Sequence, residues 1–291
     1  MSELWTIRRL IAWASEYLEG HGVESPRLSA ELLLAKTLDL ERIQLYLRFD
    51  QPLRAEELAG FKQLLLRRRA HEPVAYILGS REFYGLDFLV GPGVLVPRPE
   101  TEHLVEEGLN AIQGVEAPRA LDLCTGSGCV ALALAHERPE AQVVGVDISP
   151  QALAFARANA DRLELSRRAQ WLCGELYDPV AAAGGFFHLI TANPPYVRED
   201  QWAGLPPEVR DYEPRGALVA GADGLDLARQ IIAGSRAFLA PFGWLLIELG
   251  QGQAEAALEL AGRAGIFERV ETARDLASIP RVLVCQRGDY G

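Results

Sequence analysis

After residue 118 the chain alternates short apolar runs with helical segments, and this alternation constrains the fold more than any other feature. ALDLC is followed by CVALALAHE, and QVVGVD is followed by PQALAFARANADRL. Further strand candidates come later in the chain: AQWLC, FFHLITA, GWLLIEL, FERVETA and RVLVCQ. Strands and helices in alternation specify an α/β fold, in which a parallel sheet carries helices on both faces. Such a sheet binds ligands outside the carboxyl ends of its strands, where the strand order reverses.

The first 75 residues predict a small all-α domain. Apolar residues recur at helical spacing, and Ser25 and Pro26 stand where the N-cap and the first residue of a second helix would be. A third helix is predicted from about Arg54 to Ala70, and it ends in Arg67-Arg68-Arg69. These arginines either complement the negative end of the helix dipole or contact an RNA or ribosomal surface.

Residues 76–98 predict a β-hairpin that connects the helical domain to the α/β domain. Two β-prone runs, Phe83–Val90 and Val94–Val96, flank Gly91-Pro92-Gly93, which is a signal for a short hairpin loop. Pro99 and the acidic residues after it are typical of the first turn of a helix. We therefore expect the α/β domain to span residues 99–291.

Charge and composition disfavour several classes of protein. The chain has 29 basic and 40 acidic side chains; the first 75 residues contain 11 of each, so residues 76–291 hold 18 basic and 29 acidic ones. An acidic catalytic half argues against binding to duplex DNA, which depends on neutralising phosphates. No apolar run reaches the roughly 18 residues of a membrane helix, and the N-terminus lacks the layout of a signal peptide. We therefore expect a cytoplasmic protein with no membrane partner.

The four cysteines predict neither a metal site nor a disulfide. They form no CxxC pair and have no nearby group of histidines. Two of them, Cys124 and Cys129, flank a Gly-rich turn, where a small buried residue is sufficient.

The segment DLCTGSGCVALALA is a strand, a Gly-rich turn and an apolar helix in sequence. Gly126 and Gly128 allow the backbone to pass close to a ligand, although Ala131 stands where a dinucleotide motif would have its third glycine. Asp147 ends the next strand 19 residues after Gly128 and is suited to accept both ribose hydroxyls. Without the Gly-rich turn before it, an Asp at the end of a strand would indicate only a cap for the next helix. Together these features look like a class I S-adenosylmethionine methyltransferase.

The segment NPPY, which follows the strand FFHLITA, indicates what is methylated. The side-chain oxygen of Asn193 and the carbonyl of Pro194 are two acceptors for the two hydrogens of a planar –NH₂, and Tyr196 offers a flat face for the group. An amide or exocyclic amino nitrogen is a poor nucleophile because its lone pair is delocalised. Acceptors that hold both N–H bonds would fix this nitrogen in line with the sulfonium methyl and stabilise its developing positive charge. The alternative is a purely structural proline turn.

Five segments identify a family over roughly residues 5–287. They are FYGLDFLVGPGVLVPRPETEHLV, DLCTGSG, VDIS, NPPYV and EPRGALVAGADGL, in that order. Together they resemble the bacterial release factor glutamine methyltransferases, also called the HemK or PrmC family. The resemblance implies a Rossmann-like class I methyltransferase sheet behind a small all-α N-terminal domain that helps to hold the release factor. It also implies methyl transfer from S-adenosyl-L-methionine, which leaves S-adenosyl-L-homocysteine, to the Gln side-chain amide in the Gly-Gly-Gln motif of peptide chain release factors.

The resemblance also implies roles for individual residues. Residues implied to bind the cofactor are Cys124, Thr125, Gly126, Ser127, Gly128, Asp147, Glu175, Leu176 and Asn193. Residues implied to hold the target Gln are Asn193, Pro194, Pro195 and Tyr196, and the catalytic ones among them are Asn193, Pro194 and Tyr196. The family commonly has Gly at position 124 and an aromatic residue at 176, so adenine stacking would fall to Leu176 or pass to Tyr177. Arg98 either borders the mouth of the site or caps a local carboxylate.

Two other functions remain as alternatives. NPPY also suits a DNA or RNA amino-methyltransferase, but such an enzyme is expected to carry a basic recognition region, and this catalytic half is acidic. A non-catalytic cofactor-binding subunit would not need both Asp147 and Asn193. We therefore expect a monomeric enzyme with release factors as partners and no direct contact with nucleic acid.

Overall fold

The structure, a computed structural model, describes residues 4–181, 185–275 and 277–289. Its backbone contacts divide the chain into two units. The first runs to Ser80 and also contains Pro206–Tyr212, and the second contains Arg81–Leu205 and the chain from Glu213 onward. None of the described helices combines the length and the apolar character needed to cross a membrane.

The first unit is helical, as its apolar spacing predicts. Its helices are α1 (Ile7–Glu19), α2 (Pro26–Leu38), α3 (Arg42–Leu47), α4 (Ala55–Arg69) and α5 (Val74–Leu78). Their buried faces form one core that includes Ile7, Leu33 and Phe61. Ser25 is the N-cap and Pro26 the first residue of α2, as predicted, but Ser25 has a left-handed backbone, with φ 47°, and its side chain makes no capping bond. A capping side chain requires extended backbone at that position.

The arginines that end α4 have partners within the first unit. Arg68 is buried; its Nη1 lies 2.6 Å from Glu208 Oε2, and its Nε donates to Ser29 Oγ. Arg67 pairs with Glu72 at 2.6 Å, and Arg69 donates to the Tyr17 hydroxyl. Partners inside the unit account for all three arginines and leave Arg68 unavailable to an RNA or ribosomal surface. The sequence did not predict that the segment containing Glu208 belongs to this unit.

The hairpin is present, but its turn is not the predicted one. Strands β1 (Ser80–Phe83) and β2 (Leu86–Leu89) pair around Tyr84 and Gly85. These two residues have φ 53° and 72°, as a two-residue turn with the twist of a hairpin requires. Gly91-Pro92-Gly93 lies beyond the hairpin, in an irregular segment that leads to the 3₁₀ helix Pro99–Thr101.

The remaining elements follow in the order expected for an α/β domain, with one short helix, Pro207–Arg210, inside the first unit. They are α6 (Glu102–Ala111), β3 (Arg119–Leu123), α7 (Cys129–Glu137), β4 (Gln142–Asp147), α8 (Pro150–Arg162), β5 (Ala169–Cys173), α9 (Asp178–Ala181), β6 (Phe187–Ala192), α10 (Pro207–Arg210), α11 (Asp226–Ser235), β7 (Leu239–Glu248), α12 (Ala254–Ala264), β8 (Phe267–Arg274) and β9 (Pro280–Arg287).

These strands form one sheet in the order β5-β4-β3-β6-β7-β9-β8. The strands from β5 to β7 are parallel, while β9 is antiparallel to both β7 and β8. Helices α6 and α7 contribute to the core on one face, and α11 and α12 to the core on the other. The predicted sheet with helices on both faces is confirmed. The antiparallel end follows from the short β8–β9 connection, because a parallel crossover needs a dozen or more residues.

The strand order reverses between β3 and β6. Leu123 pairs with Ala192 at the carboxyl ends of these two strands. The turn that begins at Cys124 and the segment that begins at Asn193 therefore leave the sheet side by side. This is the position at which an open α/β sheet binds its ligand.

Candidate functional site

A cavity of about 390 Å³ lies at this point, entirely within the second unit. Most of the predicted site residues line it together: Cys124, Thr125, Gly126, Ser127, Asp147, Glu175, Leu176, Asn193 and Pro195. The other three predicted site residues, Gly128, Pro194 and Tyr196, are not among the described residues that line the cavity. The volume falls within the range of small-molecule sites.

Asp147 is held rigidly at the edge of the cavity. Its Oδ2 accepts from the Gly126 amide and its Oδ1 from the Ser149 amide, each at 2.9 Å. Each oxygen keeps a further lone pair, so the carboxylate can also accept hydroxyl groups. Burial raises the pKa of Asp147 above its usual value. Ser149 is the N-cap of α8, since its hydroxyl accepts from the Ala152 amide, so Asp147 is not needed as that cap.

Gly128 serves packing rather than lining the cavity. It has φ 79° at the start of α7, and a Cβ there would lie 2.7 Å from the Trp171 ring. The glycine therefore lets the helix begin tightly against its neighbours. Cys124 has a left-handed backbone too, with φ 56°. A residue with a Cβ is strained in this conformation, so a glycine would adopt it at lower cost.

Asp122 is a buried site residue that sequence reasoning missed. Its carboxylate accepts from the hydroxyls of Thr125 at 2.6 Å and Thr191 at 2.8 Å, and so ties the Gly-rich turn to β6. Burial raises the pKa of Asp122 to about 6. The available signal was a charged residue in the middle of the apolar strand ALDLC, since a carboxylate is almost never fully buried without partners.

Tyr177 cannot take over the stacking role proposed for it. Its ring is buried and stacks on Phe238 at 4.7 Å, and its hydroxyl donates to the Ile231 carbonyl. Leu176 lines the cavity with a positive φ of 42°, beside the exposed Glu175. An apolar contact from Leu176 is therefore what this chain offers in place of an aromatic face.

Asn193 lines the cavity with a fixed amide. Its Nδ2 donates to Thr101 Oγ1 at 3.1 Å, an orientation assigned from the hydrogen-bond network. Thr101, which also lines the cavity, follows Pro99 in the 3₁₀ helix before α6. No local sequence pattern indicates this partner, since Thr101 and Asn193 are far apart along the chain. The bond leaves Asn193 Oδ1 free to accept from a ligand.

Of the other NPPY residues, Pro195 also lines the cavity, whereas Pro194 and Tyr196 are not among its lining residues. Pro194 is buried, the Tyr196 amide donates to the Leu218 carbonyl, and Gln253 Nε2 donates to the Tyr196 carbonyl. Burial raises the pKa of Tyr196 to about 12, so its hydroxyl stays protonated at neutral pH. These contacts fix the backbone at Tyr196, directly after Pro195.

Arg98 combines both predicted roles, although its carboxylate partner is not local in sequence. It lines the cavity and forms an ion pair with Glu213, whose Oε2 accepts from the Val96 amide at 3.1 Å. Glu213 therefore holds the segment before the 3₁₀ helix at the cavity. The four cysteines are free thiols, and no group of three potential metal ligands occurs within the described residues.

Comparisons with known proteins agree with this arrangement. Residues 9–79 match the model of the PrmC N-terminal domain, and residues 120–212 match the model of a methyltransferase domain. A release factor glutamine methyltransferase from Geobacter sulfurreducens is 47% identical and covers 97% of this chain and 96% of its own length. One from Rhodopirellula baltica is 40% identical, with 97% of each chain covered. A methyltransferase structure from Pyrococcus furiosus shares the fold, with a TM-score of 0.52 and 17% identity, over 79% of this chain and 99% of that one.

Proposed function

The chain belongs to the family of release factor glutamine methyltransferases, and we propose that it methylates the side-chain amide of a release factor glutamine. The methyl donor is S-adenosylmethionine, and the target is the Gln of the Gly-Gly-Gln motif. The observation that best supports this function is the hydrogen bonding of Asn193. Its Nδ2 donates to Thr101, so its side-chain oxygen is left to accept from a substrate in the same cavity as the Gly-rich turn.

The cavity suits S-adenosylmethionine. Asp147 has lone pairs available for ribose hydroxyls, and the left-handed Gly126, with φ 56°, keeps the turn free of a side chain. Leu176 and Ile148 form an apolar part of the cavity wall. Asn193, the first residue of NPPY, lines the same cavity. When bound, the cofactor supplies an electrophilic sulfonium methyl group.

The protein's part in the reaction is to orient one nitrogen. Asn193 Oδ1 and the Pro194 carbonyl accept the two N–H bonds of the target amide, and the neutral Tyr196 provides a flat neighbour. The peptide-like lone pair is delocalised, so catalysis depends on fixed geometry and on acceptors that stabilise charge developing on nitrogen. No nucleophilic side chain is needed.

We further propose that residues 1–75 recognise the release factor, that residues 76–98 connect the two domains, and that residues 99–291 carry out transfer. The enzyme acts as a cytoplasmic monomer without direct nucleic acid contact. Its acidic second half favours this over the alternative of a DNA or RNA amino-methyltransferase.

Peptide mass mapping of a release factor incubated with the enzyme and S-adenosylmethionine tests the function. We expect the mass gain of one methyl group on the Gly-Gly-Gln glutamine. Labelled methyl transfer to nucleic acid, with none to the release factor, would support the alternative enzyme instead. No transfer to any acceptor, despite cofactor binding, would indicate a non-catalytic subunit.

A further inference from the structure

The two prolines of NPPY leave few ways to anchor its backbone. Pro194 and Pro195 have no backbone N–H, so neither nitrogen can donate a hydrogen bond. Their rings fix φ, and ψ is restricted for a residue that precedes a proline, which applies to Asn193 and Pro194. The torsion that remains soft is ψ of Pro195. The direction of the Pro194 carbonyl therefore depends on how the backbone of the next residue, Tyr196, is held.

Tyr196 is anchored at both of its peptide groups. Its amide donates to the Leu218 carbonyl at 3.1 Å, and its carbonyl accepts from Gln253 Nε2 at 3.0 Å. The Val197 amide donates to the same Leu218 carbonyl at 2.8 Å. Gly224 lies so close that a Cβ there would be 2.2 Å from the Tyr196 oxygen. Of these contacts, the one from Gln253 is made by a side chain, so a substitution can remove it.

The groups around the Gln253 amide allow it one orientation. Nε2 lies within hydrogen-bond distance of three carbonyls, those of Tyr196 at 3.0 Å, Asp223 at 3.2 Å and Gly224 at 3.3 Å. Oε1 accepts from the Gly250 amide at 2.9 Å. Carbonyls can only accept and a backbone amide can only donate, so a side chain rotated by half a turn would lose all four contacts.

Gln253 itself is held in place by the start of α12. Its backbone amide donates to the Gly250 carbonyl at 3.2 Å, and its carbonyl accepts from the Ala257 amide at 3.0 Å as the first hydrogen bond of the helix. Helix α12 follows β7, which pairs with the end of β6 through Ile247 and Ala192. The Gln253 side chain therefore ties the end of NPPY to the strand that adjoins its beginning.

We propose that Gln253 is a positioning residue that fixes the NPPY backbone by holding the Tyr196 carbonyl. Loss of this contact frees ψ of Pro195 and moves the Pro194 carbonyl relative to Asn193 Oδ1, so the two acceptors no longer meet both hydrogens of the target amide. The inference rests on the proposed methyl transfer. Gln253 is not among the described residues that line the cavity, so it acts through Tyr196 and touches neither cofactor nor substrate.

Two substitutions test the role by single-turnover methylation of a release factor. Gln253→Met keeps the length of the side chain but neither donates nor accepts there, whereas Gln253→Glu keeps an acceptor for the Gly250 amide and loses the donor. Both should slow transfer about tenfold to a hundredfold, since a displacement of about 1 Å can cost that much. Cofactor affinity should stay within about twofold of wild type, because the hydrogen bonds of the cofactor site remain.

Gln251→Glu is the matched control, because Gln251 is exposed in the same loop and the change adds the same charge; it should transfer at the wild-type rate. Calorimetry counts the cofactor-binding sites in each preparation, and the rate is expressed per site, so partial unfolding does not count as slow transfer.

Four results would each overturn the proposal. They are a wild-type rate for Gln253→Met, a wild-type rate for Gln253→Glu, an equal defect in Gln251→Glu, and a defect that disappears once the rate is expressed per cofactor-binding site. The second would assign the effect to the Gly250 contact, and the last would leave Gln253 a structural residue of its loop. Failure of the proposed function looks different, because the wild-type enzyme itself would then leave the release factor unmethylated.

Discussion

Replacement of Asp147 by Ala removes the acceptor that we assign to the cofactor ribose. The carboxylate now accepts from the amides of Gly126 and Ser149 and keeps a lone pair on each oxygen for the two hydroxyls. Hydrogen bonds to a charged group contribute roughly 1.5–3 kcal/mol, so the dissociation constant of S-adenosylmethionine should rise about tenfold to a hundredfold.

Isothermal titration calorimetry with the intact chain measures this change directly. Asp147→Asn is the matched control, because it keeps the size and one oxygen acceptor but loses the charge, and should fall between wild type and Ala. Thermal denaturation of the free variants separates cofactor loss from disruption of the turn, since Asp147 also holds the Gly126 amide. Unchanged affinity in a folded Asp147→Ala variant would refute the ribose assignment.

Three further predictions concern the turn and the helical unit. Gly128→Ala should lower the free energy of unfolding by about 1–3 kcal/mol through overpacking against Trp171, as measured by urea titration. Gly126→Ala should lower it by less, because its Cβ would meet nothing closer than Val94 at 3.9 Å. Cys124→Val should be about 1–2 kcal/mol less stable than Cys124→Gly, since a β-branched residue is poorly tolerated at φ 56°; equal melting temperatures would contradict this. Removal of residues 1–75 should spare cofactor binding but weaken release factor methylation. Because the truncation also removes Arg68, the partner of Glu208, Glu208→Gln in the full chain is its control, and equal methylation by the soluble truncated enzyme would exclude a recognition role.

The sheet and most of its strands could be predicted because apolar runs and helical periodicity are local properties of the sequence. The pairing of Leu123 with Ala192, which places β3 beside β6, is a long-range feature that these local patterns do not specify. The hairpin turn was misplaced because Gly91-Pro92-Gly93 carries a stronger turn signal than Tyr84-Gly85. The backbone shows that Tyr84 adopts the positive φ that such a turn needs.

The missed parts of the site depend on long-range contacts. Thr101 is a partner of Asn193, and no local pattern joins these two residues because they are far apart along the chain. Tyr177 was a reasonable candidate for adenine stacking by its position, but its ring packs on Phe238. Asp122 was the one missed residue with a sequence signal, a charge within a buried strand.

Single-turnover methylation by Asn193→Ala, with cofactor titration beside it, tests the central claim most directly. Loss of one preorganised transition-state contact should slow transfer roughly 10²–10³-fold, while cofactor affinity changes far less because Asp147 and the Gly-rich turn remain. Asn193→Asp should also be slow, since its charge is attracted to the sulfonium and disturbs the pocket, and should bind the cofactor more tightly. Near-normal turnover by Asn193→Ala would contradict the account and leave NPPY as a structural turn.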